Sequence, residues 1–216
     1  MAGAWCSCNL GVKLGNGKTV VCKGPEILKE MEGLTDFDAI VINGAFNLDI
    51  QQADVCGVTV KANSEVFDYL DFSVSNGCLT LENKDHVNIK ADEFDIKVNL
   101  PALKSMEVNG AVDGGLTNYT SDADMSLKIN GACDWDMTSL KLPSLQVEVN
   151  GAADMNIKNL DTEVLSVVIS GAGDVELSGR ATRARFEVNG AGSIDARGLQ
   201  CENVEKSAHG VASIQL

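Results

Sequence analysis

Four aspartates, Asp113, Asp134, Asp154 and Asp174, recur 21, 20 and 20 residues apart, each closing the same five-residue phrase. Calcium takes several carboxylate and carbonyl oxygens. If neighbouring repeats lie one strand spacing apart, about 4.8 Å, the four carboxylates form a candidate Ca²⁺ row. Like charges at that separation repel unless screened, protonated or bridged by a cation. The competing reading has each aspartate capping its own corner by accepting from nearby backbone amides. Calcium is the one cofactor the residues suggest.

The phrase itself reads Asn109-Gly110-Ala111-Val112-Asp113 and returns from Asn130, Asn150, Ser170, Asn189 and His209, with successive starts 21, 20, 20, 19 and 20 residues apart. An earlier copy begins at Asn43. Stacked amides can bond one another and the corner backbone. Asn43, Asn109, Asn130, Asn150 and Asn189 are therefore expected to form a structural ladder, and the glycine after each is expected to supply positive φ.

Other chemistry finds little support. Glycoside hydrolysis needs two carboxylates across a scissile bond, one with a raised pKa, and abundant aspartate makes such pairs uninformative. Two histidines, His86 and His209, leave no plausible Ser/His/Asp arrangement, and seven cysteines without a Cys-x-x-Cys pair do not suit zinc. The arginines Arg180, Arg183, Arg185 and Arg197 suggest one small basic patch. Tyr119, in a segment read as the loop 114–124, is the best placed exposed ring for a sugar, whereas Trp135 falls in a buried column. No catalytic residue is assigned.

The elements that carry these residues are strands. Before the slot, Met106, Leu127, Val147, Val167 and Phe186 alternate with Glu107, Lys128, Glu148, Val168 and Glu187, and then come Val108, Ile129, Val149, Ile169 and Val188. That is the period of two expected for a strand with one buried face. Twenty residues leave no room for a helix, two loops and a strand, and a unit that small must stack on its neighbours. The fold expected is all-β, a right-handed parallel β-helix, or solenoid, with coils of about 20 residues. An antiparallel hairpin around Asn76-Gly77 is expected to leave that path in the N-terminal half.

Residues 1–33 read as an N-terminal segment whose opening small apolar residues resemble the tail of an export signal. Residues 34–216 read as a single domain, irregular over 34–99 and regular over 100–216. A net charge of −14, from 17 basic and 31 acidic residues, disfavours nucleic acid. No apolar run is long enough to span a bilayer.

Phe37 to Gly44, Asn76-Gly77, Val98 to Pro101, Leu103 to Gly110 and Gly171 to Asp174 occur in an order that resembles the head GIN domain family. The likeness covers residues 34–216. It implies an auto-transporter adhesin head exported to the envelope of a Gram-negative bacterium, periplasmic or on the surface, with a β-helical fold and no established activity. The expected function is a non-catalytic, adhesin-like scaffold for adhesion or assembly, and the alternative is a polysaccharide-binding or polysaccharide-degrading β-helix. The partners implied are a surface glycan or protein and a second copy joined through the open end of the stack.

Overall fold

A computed structural model describes residues 18–84 and 87–216. Cys6, Cys8, His86 and the opening residues read as the tail of an export signal lie outside the described residues. Within them the alternating segments are strands, and each unit of about 20 residues forms one row whose equivalents pair in parallel, in register. On one limb, β4 (Ala45–Gln52), β11 (Ala111–Thr120), β13 (Ala132–Val149), β14 (Ala152–Ile169) and β15 (Ala172–Gln215) align Ala45, Ala111, Ala132, Ala152 and Ala172. On the other, β3 (Ala39–Asn43), β10 (Ser105–Val108) and β12 (Met125–Ile129) lead to the later halves of β13, β14 and β15. There Ile42, Val108, Ile129, Val149, Ile169 and Val188 lie in line.

The rest of the chain departs from that pattern and corrects the expectation of a right-handed parallel β-helix. Thirteen strands join one sheet of mixed order and direction, an all-β curled half-barrel. The strand β9 (Phe94–Leu100) sits between β4, to which it is parallel, and β5 (Gly57–Asn63), to which it is antiparallel. β2 (Glu26–Glu30) adds antiparallel to β5. At the other margin, β7 (Cys78–Asn83) lies parallel to β3, and β6 (Leu70–Ser75) turns back on it at Asn76-Gly77. A separate parallel pair joins β1 (Thr19–Cys22) to β8 (Asn88–Ala91), and a 3-10 helix spans Ser64–Tyr69. The local pattern of two is satisfied by either strand direction, which is why it does not foretell these pairings.

The corner glycines also have a different cause from the one expected. Among the described glycines only Gly33, Gly77, Gly179 and Gly210 have left-handed φ, so most corner glycines do not need that freedom. What they need is space. The Gly131 carbonyl accepts from the Ala152 amide at 2.9 Å, and that oxygen stands where a Cβ on Gly151 would lie. Gly110, Gly131 and Gly171 meet the preceding row in the same way.

Left-handed residues occur instead at the opposite bend, where Asn118, Ser139, Asn159 and Gly179 all have positive φ. Irregular spacing is absorbed at this bend and in the segment just after it. Ile157 pairs with Leu177 but Leu160 pairs with Gly179, so the single residue missing from the 19-residue unit is lost there. The extra residue of the 21-residue unit lies between Thr120, opposite Lys141, and Met125, opposite Leu145.

The interior is one apolar cluster running from Cys22 to Ala196. Trp135 is buried, and Gly114, beside it in the preceding row, leaves room for its ring. Phe46 closes one end, edge-on to Phe72 and Phe94 with ring centroids 6.0 and 5.5 Å away. Tyr119 does not lie in an exposed loop: it belongs to β11, is fully buried, accepts from the Leu103 amide at 2.8 Å and donates to the Leu103 carbonyl at 3.2 Å.

Two stability measurements check this packing. Gly151→Ala should lose about 3 kcal/mol by denaturant unfolding, the range for forcing extra atoms into a packed site, whereas Ala152→Ser, at an exposed position, should stay near the parent. Tyr119→Phe leaves the Leu103 amide without its partner and should cost about 1–3 kcal/mol; an unchanged midpoint would mean that the hydroxyl does not hold that loop.

Candidate ligand groove and polar columns

The Asn-Gly corner carries an amide chain on its outer side. Asn109 donates to Asn43 (3.2 Å), Asn130 to Asn109 (2.9 Å) and Asn150 to Asn130 (3.2 Å), each from Nδ2 to Oδ1. Asn43 donates in turn to Glu82 (3.3 Å), so the amide dipoles run toward a carboxylate. Asn130 and Asn150 spend a second N–H on Glu107 and Glu148. Asn189, beyond Ser170, donates to Glu187 at 2.8 Å. That bond, followed by the Arg185 ion pair, holds the Glu187 carboxyl below its usual range.

Asp113, Asp134, Asp154 and Asp174 fall in one register column, all exposed. The column borders a shallow open groove floored by Cys133, Ala153, Gly173 and Gly192. Among the described residues no group of three or more His, Cys, Asp or Glu side chains converges where a metal ion could sit. Asp174 accepts from the Ser193 hydroxyl at 2.6 Å. The Cys133 thiol is pushed up to about 12 by burial and then by Asp113 and Asp134. The inward position of this corner shrinks along the stack, from Phe46 through Val112, Cys133 and Ala153 to Gly173.

A second groove, of about 580 Å³, crosses the rows just after the left-handed bend. Its first wall is the column Lys141, Asp161, Arg180, in register across β13, β14 and β15. Its floor is Leu142, Thr162 and Ala181, all buried, and its second wall carries Glu163, Thr182 and Glu202. Side chains alternate faces along a strand, so three consecutive residues of each row supply wall, floor and wall. Arg180 grips Asp161 with two parallel bonds, both 2.8 Å. The pair holds the Asp161 carboxyl below its usual range and the guanidinium above its own. The Thr162 hydroxyl is turned to the backbone, directed at the carbonyls of Pro143 (3.1 Å) and Val164 (3.2 Å).

Sequence reasoning missed this groove, since 158–163 reads only as a loose return between strands. The available signal was the column Asn118, Ser139, Asn159, Gly179, in which asparagine and glycine are residue types that tolerate left-handed φ. The arginines do not make one basic patch: Arg180, Arg185 and Arg197 are spent on Asp161, Glu187 and Asp195. The carboxyls with a resolved departure, Glu65, Asp161, Glu187 and Asp195, are all shifted down, Asp195 to about 2 through its bonds from Arg197. None of these four has the raised pKa that a general acid needs.

The fold is shared with several solved bacterial proteins. A "putative lipid binding protein" from Parabacteroides distasonis superposes with a TM-score of 0.77 at 20% identity, over 92% of this chain and 99% of that one. A "putative adhesin" from Bacteroides fragilis gives 0.73 at 18% identity, over 91% and 99%. Another from Parabacteroides merdae gives 0.71 at 16% identity, over 93% and 100%. At these identities the likeness concerns the fold alone. No curated protein matches the chain in sequence. The family model described as "Putative auto-transporter adhesin, head GIN domain" matches residues 36–216, and the chain belongs to that family.

Proposed function

We propose that this chain is a non-catalytic protein of the cell envelope, presenting its outer polar columns for adhesion or assembly. The observation that carries the reading is the division of labour in each row. Inward positions are filled by packed apolar side chains from Cys22 to Ala196, and outward positions carry Asn, Asp, Glu and Lys in flat columns. The family description and the adhesin names of two structural relatives point the same way. The relative named as lipid-binding is a weaker guide, because packed side chains occupy the interior where an acyl chain would lie.

Assembly has a candidate surface in the row after Gly198, where Val204, Val211 and Leu216 are exposed and the strand lies outermost in the stack. A free strand edge is a template for pairing with another chain, and the proposed occupant is a second copy.

Cells producing the protein should label at its lysines with a membrane-impermeant amine reagent while intact. Labelling that appears only after lysis, with the protein in the cytosolic fraction, would overturn the envelope reading. For assembly, light scattering should give at least a dimer for the parent chain and a monomer for Val211→Lys; identical masses would remove that surface.

A further inference from the structure

From the groove beside the left-handed bend we infer that this protein binds a neutral, extended oligosaccharide lying across its rows. The inference rests on the adhesion reading above and assigns its ligand class and site.

Three features select that chemistry. The groove runs along the stacking direction, so its polar groups repeat at the strand spacing of about 4.8 Å, close to the length of one pyranose unit. Successive sugars therefore meet like positions of successive rows. The Asp161–Arg180 pair is held by two bonds of 2.8 Å and needs no ordering on binding. Its unused guanidinium N–H groups and carboxylate lone pairs form adjacent donors and acceptors, the pattern that two neighbouring ring hydroxyls satisfy. The floor at Leu142, Thr162 and Ala181 is closed, its side chains buried and its one hydroxyl turned to the backbone, so it brings no charge or free hydroxyl to the groove and leaves recognition to the polar walls.

Charge decides between neutral and anionic glycans. Lys141 and Arg180 face Asp161, Glu163 and Glu202, in a chain of net charge −14. A polyuronate or sulfated chain would meet net repulsion, whereas a neutral one would not. Binding should accordingly change little with added salt.

Affinity gel electrophoresis of the full chain tests this with mannan, a mixed-linkage glucan and polygalacturonate as immobilised polymers. At least one neutral gel should retard the protein, at both low and high salt, and polygalacturonate should not. Arg180→Ala should weaken retardation at least tenfold. Thr182→Trp should do the same by filling the groove from an exposed position, with circular dichroism and melting midpoint reporting that the variant still folds. Arg185→Ala, whose partner Glu187 lies outside the groove, should bind like the parent. The inference is overturned by no retardation in either neutral gel, by equal binding of folded Thr182→Trp, or by stronger retardation in polygalacturonate. Such an outcome alongside labelling of intact cells removes the glycan groove and leaves the envelope reading standing; labelling confined to lysed cells removes the envelope reading while the gels still judge the groove.

Discussion

Everything at the Asn-Gly corner follows from how closely one row approaches the next. The carbonyls of Gly44, Gly110, Gly131, Gly151 and Gly171 each accept from an alanine amide of the following row and fill the volume that a side chain on the next glycine would need. With no side chain there, backbone bonding passes around the corner instead of stopping at it. The asparagine amides are then within reach of one another, and the aspartates beyond them fall into line. A row therefore owes its geometry to the row before it, as in other stacked units whose contacts are mainly with their neighbours.

The same registration sorts the rest of the chain by chemistry. Because the side-chain period is two, columns such as the one from Ile42 to Val188 stay buried from row to row, and a slip of one residue would exchange the faces. The core can then be continuous although each unit contributes only a few side chains. At one margin the rings of Phe72 on β6 and Phe94 on β9 are set edge-on against Phe46. Outside, the asparagines form an amide chain and Asp161, Glu187 and Asp195 are paired with arginines, while the column of Asp113, Asp134, Asp154 and Asp174 stands exposed on a chain of net charge −14.

Much of the regular part was legible in the sequence. The alternation around Ile129, Val149, Ile169 and Val188 placed those residues on one face, and the fixed spacing put them in one column. The mixed architecture was not legible, because β9 is inserted between β4 and β5 by pairings that no short stretch of residues specifies. Tyr119 was misread because the neighbouring Gly114 and Gly115 suggest a loop, whereas a side chain at Gly114 would strike the Leu48 carbonyl of the preceding row and then the Trp135 ring. The groove stayed hidden because its walls come from four rows and its bend is written in four residue positions held by three different amino-acid types.

Rows change length at the left-handed bend and in the segment just after it, without disturbing the corner. A residue is dropped at Gly179 and one is added before Met125, while the corner keeps its register on both occasions. Insertions and deletions are thus channelled to one side of the molecule, the side that holds the groove. A change in row length there would reshape the groove first and leave the hydrogen-bonded spine behind it the same.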